Sequence, residues 1–249
     1  MDLKDRVAIV TGAGRGIGRA LAVEFARNGA GVVACARTEK DLRETTAIVA
    51  KEGGRCLPVP TDVADRQQVE QMAERALGEF GRIDVLFNNA ARIPVISGLW
   101  EVDPDQWWDE VSVNLRGPML CIRTVLPHML ERNEGIIINM AGGSNIPGRT
   151  SYCCSKVALG RLTELLAKEL KALGSAVIAC SMGPGLVKTR RTLHEAESPE
   201  GRKWNPGTHN AFEKGEDRPP EDCARATIKL VTTAQPDFSG KFFATGDLV

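Results

Sequence analysis

Short, uninterrupted apolar runs alternate with longer amphipathic stretches along most of this chain. VAIVT (7–11), GVVACA (31–36), IDVLFNN (83–89), GIIINM (135–140) and AVIACSM (176–182) are apolar at nearly every position rather than every second one. That pattern predicts strands buried on both faces, as in the middle of a parallel sheet. RCLPVP (55–60) reads as a further strand, and SGKFFAT (239–245) as the last. Between the strands, residues 17–28 carry Leu21 and Phe25 at helical spacing and stop at Gly29. A second helix is predicted over 39–52, closed by Gly53 and Gly54, and a third runs to Phe80 with Asp62 or Asp65 as its cap. Longer helical stretches cover 104–133 and 149–173, and CARATIKLVTT (223–233) supplies one more.

Strand–helix alternation of this kind predicts right-handed βαβ units. The expected fold is α/β, a single-domain Rossmann-type doubly wound parallel sheet of about seven strands with helices on both faces. With no internal repeat and no second core, residues 1–249 are expected to form one domain. The exception is 190–220, charged, rich in Pro and Gly, and without periodicity; so long a break inside a domain suggests a substrate-binding lid.

Composition narrows the class. Lysine plus arginine and aspartate plus glutamate both number 32, so no excess charge favours nucleic acid or an anionic membrane surface as partner. No apolar run approaches the about 20 residues that span a bilayer. Seven cysteines without a C-x-x-C pair suit buried thiols in a reducing cytoplasm. Cys153 and Cys154 read as small packing residues on a helix, and His128, His194 and His209 lack metal-ligand spacing, so no metal is expected.

TGAGRGIG (11–18) follows a predicted strand and opens a helix. Gly12, Gly14, Gly16 and Gly18 let the backbone approach a pyrophosphate, and the helix N-terminus offers it free N–H groups. The spacing is T-G-x-x-x-G-x-G rather than G-x-G-x-x-G, since Ile17 stands where the last glycine would be. Four more segments follow in order: TDV (61–63), NNA (88–90), Tyr152 and Lys156 in Y-x-x-x-K, and PGLVKT (184–189). With these motifs the chain resembles the classical short-chain dehydrogenase/reductase family over essentially its whole length.

An acidic residue at the end of the second strand would bind the ribose hydroxyls of NAD. Here Ala36 stands there, followed by Arg37 and Thr38, and Arg15 lies in the glycine loop. Cations beside a hydroxyl suit the 2′-phosphate, so NADP is the expected cofactor, with NAD as the alternative. The resemblance further implies that Asp62 and Val63 contact the adenine end and that Asn88 and Ala90 line the fourth-strand edge. It implies that the Pro184–Gly185 turn presents Val187 and Thr189 to the nicotinamide carboxamide. NNAA replaces the family's NNAG, with Ala91 in the glycine's place.

Tyr152 and Lys156 are four residues apart, so they share one face of a helix. A lysine ammonium near a phenol lowers its pKa and fits Tyr152 for general acid/base work. The resemblance implies that Lys156 also holds the nicotinamide ribose and that Asn114 orders a water in the proton relay. The family's serine commonly lies thirteen residues before the tyrosine, which here is Asn139; Ser144 is the candidate that takes its place, while Ser151 is expected to point elsewhere. Trp107 and Trp108 are expected in core or subunit packing, and Trp204, Leu193 and Phe212 hint at an apolar substrate.

The expected function is therefore NADP(H)-dependent interconversion of a carbonyl and a secondary alcohol, with Tyr152, Lys156, Asn114 and Ser144 as catalytic residues. Two alternatives stay open: a dinucleotide-binding regulatory protein with weakened catalysis, and a relative catalysing enoyl reduction or dehydration. The resemblance implies a homodimer or homotetramer paired through 104–133 and 149–173.

Overall fold

The computed structural model describes residues 1–92, 95–142 and 145–248. Seven parallel strands, β1 (Val7–Thr11), β2 (Gly31–Ala36), β3 (Arg55–Pro60), β4 (Val85–Asn88), β5 (Ile136–Met140), β6 (Ile178–Gly183) and β7 (Phe242–Ala244), form one sheet in the order β3-β2-β1-β4-β5-β6-β7. Each apolar run has two covered faces. Ala8 and Val10 enter one core cluster, and Val7 and Ile9 enter the other on the opposite side. The order reverses between β1 and β4, and ligands of doubly wound sheets bind at such a switch point, beyond the carboxyl ends of the strands.

Helices α1 (Gly16–Arg27), α2 (Glu39–Lys51) and α3 (Arg66–Phe80) cross between the first four strands. Asp65, one of the two candidate caps, accepts from the Gln67 and Gln68 backbone N–H groups at the start of α3. The stretch expected as one helix over 104–133 is α4 (Pro104–Val111), a π-helical turn over Ser112–Arg116, and α5 (Gly117–Arg132). The wider turn falls around Asn114, and such bulges recur at functional sites because they shift the backbone register locally. Helix α6 (Thr150–Ala172) carries Tyr152 and Lys156.

The 190–220 stretch is more ordered than its sequence suggests. It folds into α7 (Arg190–Glu197), α8 (Pro199–Trp204) and α9 (Pro206–Glu213). Each helix is too short to show a helical period, and each starts from a local signal. Thr189 and Thr192 form a capping box for α7, Ser198 caps α8, and prolines open α8 and α9. Helix α10 (Pro220–Thr232) then packs along α1, and a final turn, α11 (Thr245–Leu248), follows β7.

Candidate active site

A cleft of about 430 Å³ opens at the switch point and runs from Arg37 to Tyr152. Its floor is the glycine loop. Gly12 and Gly16 have φ of 68° and 54°, the left-handed region that glycine enters without strain. A Cβ on Gly12 would stand 2.9 Å from the Ala90 Cα, so the close passage of the loop over the end of β4 requires its absence. Arg15, just before helix α1, gives it no side-chain cap, which leaves the helix's first N–H groups for an anion from the cleft. Thr11 Oγ1 accepts from the backbone N–H groups of Asn89 and Ala90, locking the two strand ends together beneath this floor.

At the far end of β2, Arg37 and Thr38 line the cleft, with Arg15 across the loop, and Asp62 and Val63 form the adjoining wall. The open helix terminus, the bare glycine floor and these two arginines fit the phosphates of a nicotinamide dinucleotide.

Of the expected cofactor residues, Asn88, Gly185 and Val187 are not among those that line the cleft. Asn88 is buried below the cleft, where its Nδ2 donates to Asn139 Oδ1 at 2.9 Å, and Asn89 and Ala90 line the cleft instead. Val187 is a core residue at 2% exposure, so its side chain does not reach the cleft, while Pro184 and Thr189 do. Asn139, thirteen residues before Tyr152, also donates to Thr163 Oγ1 at 2.8 Å, deep in the core. Ser144 lies outside the described residues.

Tyr152 sits among cations. The guanidinium carbon of Arg149 stands 4.1 Å from its ring centroid, that of Arg191 5.0 Å, and Lys156 Nζ 5.9 Å. Burial pushes the phenol's pKa up, but the fields of Arg191, Lys156 and Arg149 outweigh it and hold the pKa below its ordinary value. Burial lowers the pKa of Lys156; Tyr152 opposes this, and Arg191 adds to it. Lys156 Nζ donates to the Met140 carbonyl at 2.7 Å, which fixes the ammonium over the end of β5.

Asn114 is fully buried and uses both ends of its amide. Nδ2 donates to Ser155 Oγ at 3.3 Å, and Oδ1 accepts from the Arg92 backbone N–H at 3.3 Å. Ser151 points away from the cleft, as expected, and donates to Glu110 Oε2 at 2.6 Å.

Sequence reading missed four charged residues of this site. Arg149 pairs with Glu195 at 2.6 Å, and both are almost wholly buried. Asn205 also donates to Glu195 Oε1 at 2.6 Å, so one carboxylate ties the start of α6 to α7 and to the start of α9. Glu110 is buried and its pKa is raised by that burial, against the opposing bonds from Ser151 and Val95. Arg191 is the second residue after the PGLVKT segment, which was a usable positional signal; nothing local distinguishes Arg149, Glu110 or Glu195.

The expected packing roles divide. Trp107 is half-buried and its Nε1 donates to Thr150 Oγ1 at 3.0 Å, whereas Trp108 is 63% exposed and packs into no core. Cys154 is exposed too, so the packing role fits only the half-buried Cys153. Trp204 meets Trp100 edge-on, with centroids 6.0 Å apart, and fills the space where Gly148 lacks a side chain.

Residues 6–199 match the short chain dehydrogenase family. The chain belongs to the short-chain dehydrogenase family. It is 35% identical over 248 residues to the short chain dehydrogenase mpl6 of Monascus purpureus, covering 96% of this chain and 80% of that one. It is 33% identical to the uncharacterized oxidoreductase MW2403 of Staphylococcus aureus, covering 92% of both. Among solved structures, a metagenomic short-chain oxidoreductase in complex with NADP superposes with a TM-score of 0.78 at 27% identity, covering 97% of each chain. Levodione reductase does so with a TM-score of 0.86 at 26% identity, covering 97% of this chain and 96% of that one. An NAD+-bound xylitol dehydrogenase, 22% identical over 98% of each chain, shares the fold with a TM-score of 0.88. This short-chain dehydrogenase is thus an oxidoreductase by family, and no helix among its described residues is long and apolar enough to cross a membrane.

Proposed function

We propose that the protein is an NADP(H)-dependent oxidoreductase that interconverts a carbonyl and a secondary alcohol, with Tyr152 as general acid and base. The observation that carries this reading is the set of cations around Tyr152, which favours its ionised form at the end of a cleft built for a dinucleotide. The bound nicotinamide supplies or accepts the hydride. In reduction, Tyr152 gives its proton to the carbonyl oxygen, and the positive charge of Lys156 and Arg191 stabilises the phenolate left behind. In oxidation the phenolate takes the alcohol proton. Lys156, held by the Met140 carbonyl and lining the cleft, is also proposed to hold the cofactor ribose.

Because the Asn114 amide is engaged at both ends, its part in a relay falls to its main-chain carbonyl, in the π turn where the hydrogen-bond register changes. Ser144 is proposed as a donor to the substrate oxygen. Arg15 and Arg37 support NADP over NAD, as no carboxylate ends β2 to bind a free ribose. The protein is further proposed to pair through α5 and α6, on which Met119, Val157 and Leu165 are exposed.

The test is nicotinamide absorbance with NADPH and a panel of ketones and aldehydes. Wild type should consume NADPH, and Tyr152→Phe should lose at least about a hundredfold in rate while still binding the cofactor. A Tyr152→Phe protein that keeps wild-type activity would overturn the assignment.

A further inference from the structure

The substrate end of the cleft gathers three cations around one phenol. Lys156, four residues from Tyr152 on the same helix, has its Nζ 5.9 Å from the ring centroid. Here Arg149 and Arg191 also stand within 5.0 Å of the Tyr152 ring centroid. Their local counter-charges are two. Glu195 takes one nitrogen of Arg149, and Glu110 accepts from Ser151 and Val95 and is bonded to neither arginine. Arg149, only 3% exposed, keeps Nε and Nη2 without a hydrogen-bond partner among the described residues. A buried guanidinium with open donors is costly unless an acceptor completes it. Arg191 lines the cleft, is half-buried, and has no carboxylate partner among the described residues.

We infer that the substrate is an oxo acid, with a carboxylate one or two carbons from the reacting carbonyl, and that Arg191 is the residue that binds that carboxylate. The inference rests on the carbonyl-reduction reading. A guanidinium beside the phenol that serves the carbonyl oxygen reaches only groups close to that carbonyl, which sets the short spacing. Its planar fork matches a carboxylate with two parallel donors. Arg149, 4.1 Å from the ring centroid and anchored by Glu195, is a positioning residue that adds to the positive field.

The experiment compares each acid with its neutral ester. Benzoylformate and methyl benzoylformate, and acetoacetate and ethyl acetoacetate, are assayed with NADPH for wild type, Arg191→Gln and Arg191→Lys. Isothermal titration calorimetry then measures the binding of each acid and ester, and of NADPH itself, to the same proteins. The expected result is a wild-type kcat/KM at least tenfold higher for the acid of a pair. That ratio should collapse at least tenfold in Arg191→Gln and recover in part in Arg191→Lys, with acid binding following the same order. Equal or better use of the esters would overturn the inference and leave the carbonyl-reduction reading standing. If Arg191→Gln weakens NADPH binding as much as acid binding, Arg191 serves the cofactor phosphates and the inference falls. If no compound turns over, the carbonyl-reduction reading fails. Calorimetry then decides the anion site alone: acid binding that depends on Arg191 sustains it, and its absence overturns it.

Discussion

The Arg191 guanidinium carbon lies 5.0 Å from the Tyr152 ring centroid, bringing a residue of α7 against the acid/base candidate of α6. Arg191 is the foremost of the cations that lower the phenol's pKa, ahead of Lys156 and Arg149 and against burial. Reduction needs the protonated phenol, so its rate is full below that pKa and falls as pH rises through it. Oxidation needs the phenolate and gains over the same window. Both limbs should lie below the ordinary tyrosine value of about 10. Arg191→Gln should move both to higher pH, which pH profiles of kcat/KM in each direction would read; an unmoved profile would remove Arg191 from the phenol's electrostatics.

Arg37 stands at the end of β2, facing the glycine loop. Loss of one charge-assisted contact to a 2′-phosphate should raise KM for NADPH at least about tenfold. Arg37→Glu should do so while leaving NADH unaffected or better used. Parallel saturation curves for the two cofactors check this, and an equal effect on both would refute the assigned preference.

The Arg149–Glu195 pair closes the three short helices of 190–213 onto the start of α6. Removing the carboxylate leaves a buried guanidinium uncompensated, which costs about 3–5 kcal/mol. Glu195→Ala should therefore lower Tm by on the order of 10 °C. The double substitution Arg149→Met with Glu195→Leu should recover much of that loss, because the apolar pair strands no charge. Differential scanning calorimetry on the three proteins makes the comparison.

Asp84 is wholly buried at the entry to β4. It accepts from the Val7 backbone N–H at 2.9 Å and from Arg82 Nε at 2.8 Å, with Arg6 at 3.3 Å. Burial pushes its pKa up, but these bonds and charges prevail and hold it below the ordinary value. Its contribution to stability is therefore full above the unfolded-state pKa of about 3.9 and is lost as pH falls through the lower, folded one. Asp84→Asn should lower stability at pH 7 and flatten its decline below about pH 4, as measured by urea unfolding across that range.

The sequence by itself determined the strands of a doubly wound parallel sheet. Runs such as VAIVT and GVVACA are apolar on both faces, and only a covered parallel strand satisfies that. The glycine loop, the uncapped start of α1 and the pair Tyr152–Lys156 were equally legible, because each is set by contacts within a few residues. The tertiary structure alone decided what surrounds the tyrosine. Glu110 on α4, Arg149 at the start of α6, and Arg191 and Glu195 on α7 come from three separate elements, and a charge reveals its partner only when chain closure brings it within a few ångströms. The helices of 190–213 were hidden for the same reason. At six to eight residues each, they are held by caps and by the Glu195 carboxylate rather than by an apolar face of their own. Asn88 shows the limit from the other side: its position in the chain suggested the cleft, and its hydrogen bond to Asn139 keeps it in the core.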